Sequence, residues 1–156
     1  MASKQFVVFT VNNQEYGIDV ETVNGILRAK KFEIKVLPGM PKSIEGIINL
    51  RGQIKYLYNL RHKFDVPGEV LNEESKFVML NVQGSTAGWI VDEVTDIVKI
   101  DDEDMENTPQ RLSSSEKNYI MSIGKVDERL IIILDPGKLL EETMLDEIKK
   151  PEAVLA

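Results

Sequence analysis

The chain has 156 residues, of which 42% are hydrophobic and 29% charged, so it can bury a core without disulfides or structural metals. It contains no cysteine and one histidine, which excludes thiol nucleophiles, thiolate metal sites and any His/Cys metal cluster. The net charge of −7 arises mostly from residues 76–156, which contain 9 Lys and Arg against 17 Asp and Glu. Because the sequence has no basic stripe that could contact phosphates, we expect no nucleic-acid binding.

Membrane insertion and secretion are not expected. No apolar run approaches the ~20 residues that a membrane-spanning helix needs. The N-terminus, Met1 to Gln5, leads directly into a strand-like pattern and lacks the apolar region of a signal peptide. We therefore predict a cytoplasmic protein.

The first elements in chain order are two strands and a short helix. Residues 6–11 and 15–18 are rich in apolar and β-branched side chains, and the Asn12-Asn13 pair between them is typical of a turn. Asp19 can cap a helix through Leu27, because the apolar residues that follow it are spaced by about 3.6. The pattern therefore predicts a hairpin followed by a capped helical turn.

A hairpin around Arg51 is the most distinctive stretch of the first half. Residues 44–50 and 55–58 read as strands, and Gly52 supplies the backbone freedom of the turn between them. Arg51 places a guanidinium at the tip of this otherwise apolar hairpin, where its donors can meet a carboxylate or backbone carbonyls. The alternative, a solvated turn residue without a partner, is the more common case.

After a polar connection at residues 66–75 the strand pattern begins again. Strands are predicted at residues 76–82, 87–91, 119–126 and 130–134, with an acidic, Ser-rich loop at residues 101–117. The chain closes with a helix that has Asp135 as its cap, Pro136 at its first position and apolar residues spaced by four.

This restart indicates an internal repeat. Residues 6–11 align with residues 77–82 at an offset of 71, and residues 54–61 align with residues 130–137 at an offset of 76. Each unit then runs hairpin, capped helical turn, hairpin, capped helical turn. Chance similarity between amphipathic strands is the alternative. Short strands joined by Gly and Pro turns favour small barrels over a parallel sheet.

The residues offer no catalytic or cofactor site. His62 has no partners for a metal site, and the acidic residues 101–106 lack the ligand alternation and central glycine of a calcium loop. An enzyme would need an acid–base pair, such as Asp92 with Glu93, to converge in a cleft. We therefore predict a protein that is not an enzyme, with no catalytic, cofactor-binding or metal-binding residues.

Two packed β-units would leave a groove between them. Five apolar residues on the predicted helical turns could line it: Val23, Ile26, Leu27, Ile97 and Val98. Such a groove accepts an amphipathic helix, with apolar anchors at helical spacing. Two alternatives stay open, that these residues simply close the two cores, and that the groove is the pocket of a small-molecule-sensing module.

Four segments, in order, resemble the CheW family, the chemotaxis coupling proteins of bacteria. These segments are Gly46 to Gly52, Asn59 to Arg61, Gly88 to Val94 and Arg129 to Asp135. The likeness covers about residues 5–142. Its most specific part is the block Asn49-Leu50-Arg51-Gly52, whereas the strand segments alone would carry little weight.

The resemblance implies an all-β fold of two SH3-like five-stranded β-barrels packed on a shared core, with short helical turns and a C-terminal helix. Residues 1–156 would form a single CheW-like domain made of two interleaved subdomains. These subdomains would span approximately residues 15–75 and 76–135, and the terminal segments would complete them. This architecture agrees with the repeat.

The resemblance also implies a non-catalytic adaptor in a two-component signalling system. Such a protein joins the cytoplasmic tip of chemoreceptors (methyl-accepting chemotaxis proteins) to the regulatory domain of the histidine kinase CheA, and is recruited to membrane-associated receptor arrays. By resemblance, Arg51, in the block that begins at Asn49, matters for the coupled complex. Val23 and Gly25 belong to the receptor-facing region, in the groove that receives the receptor's helical hairpin.

The chain departs from the family pattern at three positions. Many members carry glutamate where this chain has Gly25, and members usually have proline at Tyr56 and aspartate at Asn59. The change at Gly25 removes a side chain that could make an ionic contact to the receptor. The fold prediction is unaffected by all three.

Overall fold

The computed structural model describes residues 2–68, 71–82, 84–107 and 119–139, which form two β-sheets and few, short helices. The strands are β1 (Ser3–Val11), β2 (Gln14–Asp19), β3 (Val23–Arg28), β4 (Ile44–Leu50), β5 (Gln53–Asn59), β6 (Lys76–Val82), β7 (Ser85–Val91), β8 (Glu93–Asp101), β9 (Met105–Asn107), β10 (Ile120–Val126) and β11 (Arg129–Leu134). Helix α1 spans Leu60–Phe64. The prediction of an all-β protein is confirmed.

Each sheet forms a small barrel. The six-stranded barrel has the strand order β8-β1-β2-β11-β10-β9, and the five-stranded barrel has the order β3-β6-β7-β5-β4. The segment that leaves β3 reaches the opposite edge of its own sheet, where Lys35 pairs with Ile47 of β4. The predicted pair of packed SH3-like barrels is confirmed, with one additional strand. The additional strand is β9, which pairs with β10. It lies within residues 101–117, which the sequence predicts to be a loop.

The chain passes between the barrels at two places. It leaves the six-stranded barrel after Asp19, builds all five strands of the other barrel, and returns at Asp92, the single residue between β7 and β8. The strand membership therefore differs from the predicted ranges 15–75 and 76–135, because β6 and β7 pair with β3 and β5 rather than with later strands. The assignment of one domain with two subdomains stays a prediction.

The predicted helix from Asp19 to Leu27 is wrong beyond its first turn. Asp19 does act as a cap, because its Oδ1 accepts the backbone N–H of Glu21 at 2.9 Å, but the turn covers only Val20–Thr22. The chain then enters β3, which pairs with β6. Its β-branched and apolar residues gain a strand partner there that is more than 50 residues away, which periodicity cannot reveal. Asp92 likewise leads directly into β8 and not into a helical turn.

The internal repeat is confirmed by the strand registers. Ile26 of β3 pairs with Val78 of β6, and Ile97 of β8 pairs with Val7 of β1, which lies 71 residues before Val78. Both pairings contain a register shift at the same place, next to Asn24 in one sheet and Thr95 in the other. The first repeat (β1 to β5) and the second repeat (β6 to β11) are therefore each divided after their second strand, with the first two strands in one barrel and the later strands in the other.

Side chains that point alternately to the two faces of each strand fill three hydrophobic cores. In β1, Phe6 and Val8 point into the six-stranded barrel, while Val7 and Phe9 point into a core shared by both barrels. In β6, Phe77 and Met79 point into the five-stranded barrel, and the intervening residues join the shared core. Because both faces of these strands are buried, they read in the sequence as continuous apolar runs.

The C-terminal helix is described only at its start. Residues 136–139 are helical, and the side chain of Asp135 accepts the backbone N–H of Lys138 at 3.2 Å, which confirms its role as a cap. The rest of the predicted helix, from residue 140, lies outside the described residues. In the part of the chain that is described, no helix has the length and apolarity needed to span a membrane.

Candidate interaction surfaces

The hairpin between β4 and β5 holds Arg51 at its tip. Leu50 pairs with Gln53, so Arg51 and Gly52 form a two-residue turn, with φ angles of 53° and 87°. Two positive φ angles are typical of the type I′ turn that matches the twist of a hairpin. The Asn49 side chain accepts the backbone N–H of Gly52 at 2.8 Å, which fixes the turn from within.

The Arg51 side chain is exposed, and it makes no hydrogen bond or ion pair with any of the residues that the structure describes. A non-glycine residue in the left-handed region costs roughly 1–2 kcal/mol. The fold therefore presents a free guanidinium on a rigid, conformationally costly turn. Asn49 and Arg51 are brought together as predicted, with Asn49 acting on the backbone of the turn.

The strand β3 carries the next four predicted site residues. Ile26 is 41% exposed, whereas Val23 packs against the shared core and Leu27 packs against the core of the five-stranded barrel. Gly25 has φ +139°, and a Cβ built on it meets no atom within 4 Å. Since β3 is an edge strand of its sheet, its outer edge and Ile26 are accessible to a partner.

Ile97 and Val98 lie on β8, the edge strand of the other barrel. The Ile97 side chain is 57% exposed, but Val98 is buried inside the six-stranded barrel. The five apolar residues are thus divided between roles: Val23, Leu27 and Val98 contribute to cores, while Ile26 and Ile97 are exposed at equivalent positions of the two repeats. The predicted eight residues fall in three places: the hairpin tip, β3 and β8.

An ion pair between Arg61 and Asp92 was not anticipated. The Asp92 Oδ2 atom accepts Nη2 of Arg61 at 2.6 Å and the backbone N–H of Asn12 at 2.8 Å. Both charged side chains are largely buried, with exposed fractions of 13% and 19%. Arg61 belongs to α1 and Asn12 to the β1–β2 turn, so Asp92 ties both barrels together at the crossover. In the sequence, the only sign of this role is that Asp92 is a charged residue between two strand-like runs.

A second ionic cluster closes one end of the six-stranded barrel. Arg129 donates from Nε to both carboxylate oxygens of Glu15, at 3.0 and 3.2 Å, and from Nη1 and Nη2 to Asp96, both at 3.1 Å. These hydrogen bonds hold the pKa of Asp96 below its ordinary value, and the two carboxylates raise the pKa of Arg129. The cluster joins β2, β8 and β11.

The acidic groups do not form a catalytic centre. The Asp92 carboxylate is occupied by Arg61 and by Asn12, and Glu93 is exposed on the neighbouring position of the chain. The carboxylates of Asp101, Glu103 and Asp104 lie within 4.8 Å of one another but are mostly solvated. In the described part of the chain, the Arg61 Nε atom is the one buried side-chain polar atom without a partner.

Comparison with known proteins identifies relatives over most of the chain. The sequence model of the CheW-like domain matches residues 5–144. The chain is 30% identical to the chemotaxis protein CheW of Bacillus subtilis, over 89% of this chain and 88% of that protein. It is 31% identical to CheW of Klebsiella aerogenes, over 94% of this chain and 89% of that protein. The crystal structure of the scaffolding protein TtCheW from Thermoanaerobacter tengcongensis superposes with a TM-score of 0.77 at 31% identity, covering 85% of this chain and 89% of that one.

Proposed function

The chain belongs to the CheW family of non-catalytic chemotaxis scaffolds, and from that premise we propose that it couples transmembrane chemoreceptors to the histidine kinase CheA. Its partners are the cytoplasmic tip of a methyl-accepting chemotaxis protein and the regulatory domain of the kinase. It acts in the cytoplasm, at membrane-associated receptor arrays. The proposal treats the whole chain as one CheW-like domain of two subdomains.

The observation that carries the proposal is the free guanidinium of Arg51 on its rigid turn. The left-handed backbone at Arg51 would suit glycine or asparagine better, so the side chain is retained at a cost to stability. An arginine whose five donors have no partner among the described residues is suited to a carboxylate or to backbone carbonyls of another protein. The Asn49 side chain, which accepts the backbone N–H of Gly52, fixes the turn backbone from which the guanidinium projects.

The remaining site residues supply apolar contact. Ile26 and Ile97 are exposed on edge strands, and β3 carries both Ile26 and the open position at Gly25. We include Val23, Leu27 and Val98 as residues that position these strands from the cores beneath them. Exposed aliphatic side chains beside fixed polar groups are the composition of a site for an amphipathic helix.

Binding to a receptor signalling-tip fragment and to the kinase regulatory domain, separately and together, tests the proposal. Arg51→Glu should weaken the ternary complex while its free energy of unfolding stays within about 1 kcal/mol of the parent, as for a surface change. Lys138→Glu, an equal charge reversal at an exposed position outside the hairpin tip, β3 and β8, serves as the matched control and should bind like the parent. A folded parent protein that binds neither partner would rule the function out.

A further inference from the structure

The two barrels can be compared position by position at the end where the ionic cluster lies. Asp96 pairs with Val8 in one barrel, and Gly25 pairs with Met79, the counterpart of Val8, in the other. The hairpin offset of 76 makes Gln53 the counterpart of Arg129. The offset of 71 makes Thr86 the counterpart of Glu15. All three charged residues of the cluster are therefore replaced by uncharged residues in the five-stranded barrel.

Lys55 lies at this same end of the five-stranded barrel. It pairs directly with Ile48, which is 2% exposed inside the barrel, so the two side chains project from the same face of the sheet. Its counterpart in the six-stranded barrel is the fully buried Ile131. The side chain of Lys55 thus starts from the inner face of one barrel, where the other barrel has the buried Ile131.

The Lys55 ammonium has no carboxylate partner among the residues that the structure describes, although its side chain is half-buried. The position equivalent to Asp96, where the other barrel supplies a carboxylate, is Gly25, and space for a side chain is open there. A cation without a counter-charge from its own chain attracts a carboxylate that a partner brings to it. Among the residues that the structure describes, no carboxylate at this end of the five-stranded barrel corresponds to Asp96 of the other barrel.

We propose that the end of the five-stranded barrel at Lys55 and Gly25 binds a carboxylate side chain of the receptor's helical tip. The inference rests on the proposed function and adds one specificity-determining residue, Lys55, to it. Charge favours this occupant: residues 20–91 carry 10 Lys and Arg against 7 Asp and Glu, whereas the rest of the chain carries 9 against 19. An acidic side chain is therefore attracted to this barrel and repelled by the other.

Two variants of Lys55 test the proposal by titration against the receptor-tip fragment and the kinase regulatory domain. Lys55→Ile introduces the residue found at the equivalent position and should weaken receptor binding by roughly fivefold to tenfold, with less dependence on salt. Lys55→Glu should weaken it by more than about tenfold, because it adds repulsion to the loss of the pair. Kinase binding should change by less than about twofold in both variants. Lys138→Glu again serves as the charge-matched control.

A second measurement identifies the partner group. Replacing the acidic residues of the receptor tip by lysine, one at a time, should restore binding to Lys55→Glu at one position and not at the others. Equal receptor affinity of the parent and Lys55→Ile, or a loss confined to the kinase, would overturn the inference while leaving the proposed function intact. Absence of any binding by the parent would instead overturn the proposed function. Lys55→Ile keeps the test valid even when Lys55→Glu does not fold.

Discussion

Asp92 shows how one side chain can hold two barrels in a fixed relation. Its backbone N–H donates to Thr10 of β1 at 2.9 Å, and its carboxylate receives Asn12 from the six-stranded barrel and Arg61 from α1. Arg61 also donates to the carbonyl of Pro67. These three hydrogen bonds of Asp92 lie where the chain changes barrels. Removing the charge of Asp92 leaves the largely buried guanidinium of Arg61 without its counter-ion.

Asp92→Asn should lower the free energy of unfolding by about 1.5–3 kcal/mol, the range for a hydrogen bond to a charged group. The amide oxygen can still accept the N–H of Asn12, which donates to the same oxygen as Arg61, so the loss reports on the missing charge opposite Arg61. Chemical denaturation measures it, and Glu93→Gln, at the exposed neighbouring position, should change stability by less than about 0.5 kcal/mol. Equal effects of the two variants would show that the pair contributes nothing.

The Arg129 cluster predicts a defined pH dependence. Hydrogen bonds from Arg129 lower the pKa of Asp96 below its ordinary value of 3.8, so the folded state holds this carboxylate ionised more strongly than the unfolded chain does. The resulting stabilisation is present above the unfolded pKa and is lost as the pH falls through the folded pKa. Because the Asp96 side chain is 41% exposed, the contribution is small.

Asp96→Asn should therefore be less stable than the parent at pH 7, by less than about 1 kcal/mol. The difference should shrink as the pH is lowered below about 4 and approach zero once the carboxylate of the parent is protonated. Urea denaturation of both proteins at several pH values measures it. A difference that stays constant down to the lowest pH would contradict the ionic origin.

At the scale of elements, different residues of the β4–β5 hairpin serve stability and the proposed binding. Its turn is fixed by the Asn49 side chain and by Gly52, neither of which requires an arginine between them. The turn residue Asp127 of the β10–β11 hairpin also has a left-handed backbone, with φ 55°, but aspartate tolerates this conformation better than arginine does. The cost at Arg51 is therefore specific to its side chain.

Arg51→Asn creates an Asn-Gly turn, the preferred sequence of a type I′ hairpin. We expect its free energy of unfolding to equal or exceed that of the parent, by up to about 1 kcal/mol, while binding of the receptor and kinase together is weakened. Thermal melting and the ternary binding assay are run on the same preparation. Asp127→Asn in the other hairpin is the matched control, and a marked loss of stability in Arg51→Asn alone would show that Arg51 supports the fold.

At the scale of the whole molecule, the two barrels share one core. Trp89, which is 1% exposed, and Phe9 meet edge to face with ring centroids 6.4 Å apart, one from each barrel. Phe64 of α1 stacks on Tyr16 at 4.7 Å, and burial raises the pKa of the Tyr16 hydroxyl. Because each barrel is built from at least two strands of each repeat, neither repeat can form a barrel core alone.

We therefore expect the barrels to unfold in one cooperative transition. Trp89 is the only tryptophan, so its fluorescence reports on the shared core, while far-UV circular dichroism reports on all strands. The two denaturation curves should coincide. Separate midpoints, with the dichroism signal changing in two steps, would show that the barrels are independent.

The sequence by itself determined what depends on neighbouring residues. Alternating and continuous apolar runs identified most strands, Gly52 identified the turn, and Asp135 identified a helix start, because these features arise within a few residues. The repeat and the Asn49–Gly52 block identified the family and Arg51. Helical spacing after Asp19 was misleading, because the same residues gain more by pairing as a strand with β6.

Only the tertiary structure decided which strands share a barrel and which charges meet. Glu15, Asp96 and Arg129 come together from β2, β8 and β11 across as many as 114 residues of chain, and Arg61 meets Asp92 across 31. The open end at Lys55 and Gly25 is visible only when the barrels are compared in register. Strand exchange between the repeats creates these contacts, and since pairing partners are chosen by burial over the whole molecule, no local pattern specifies them.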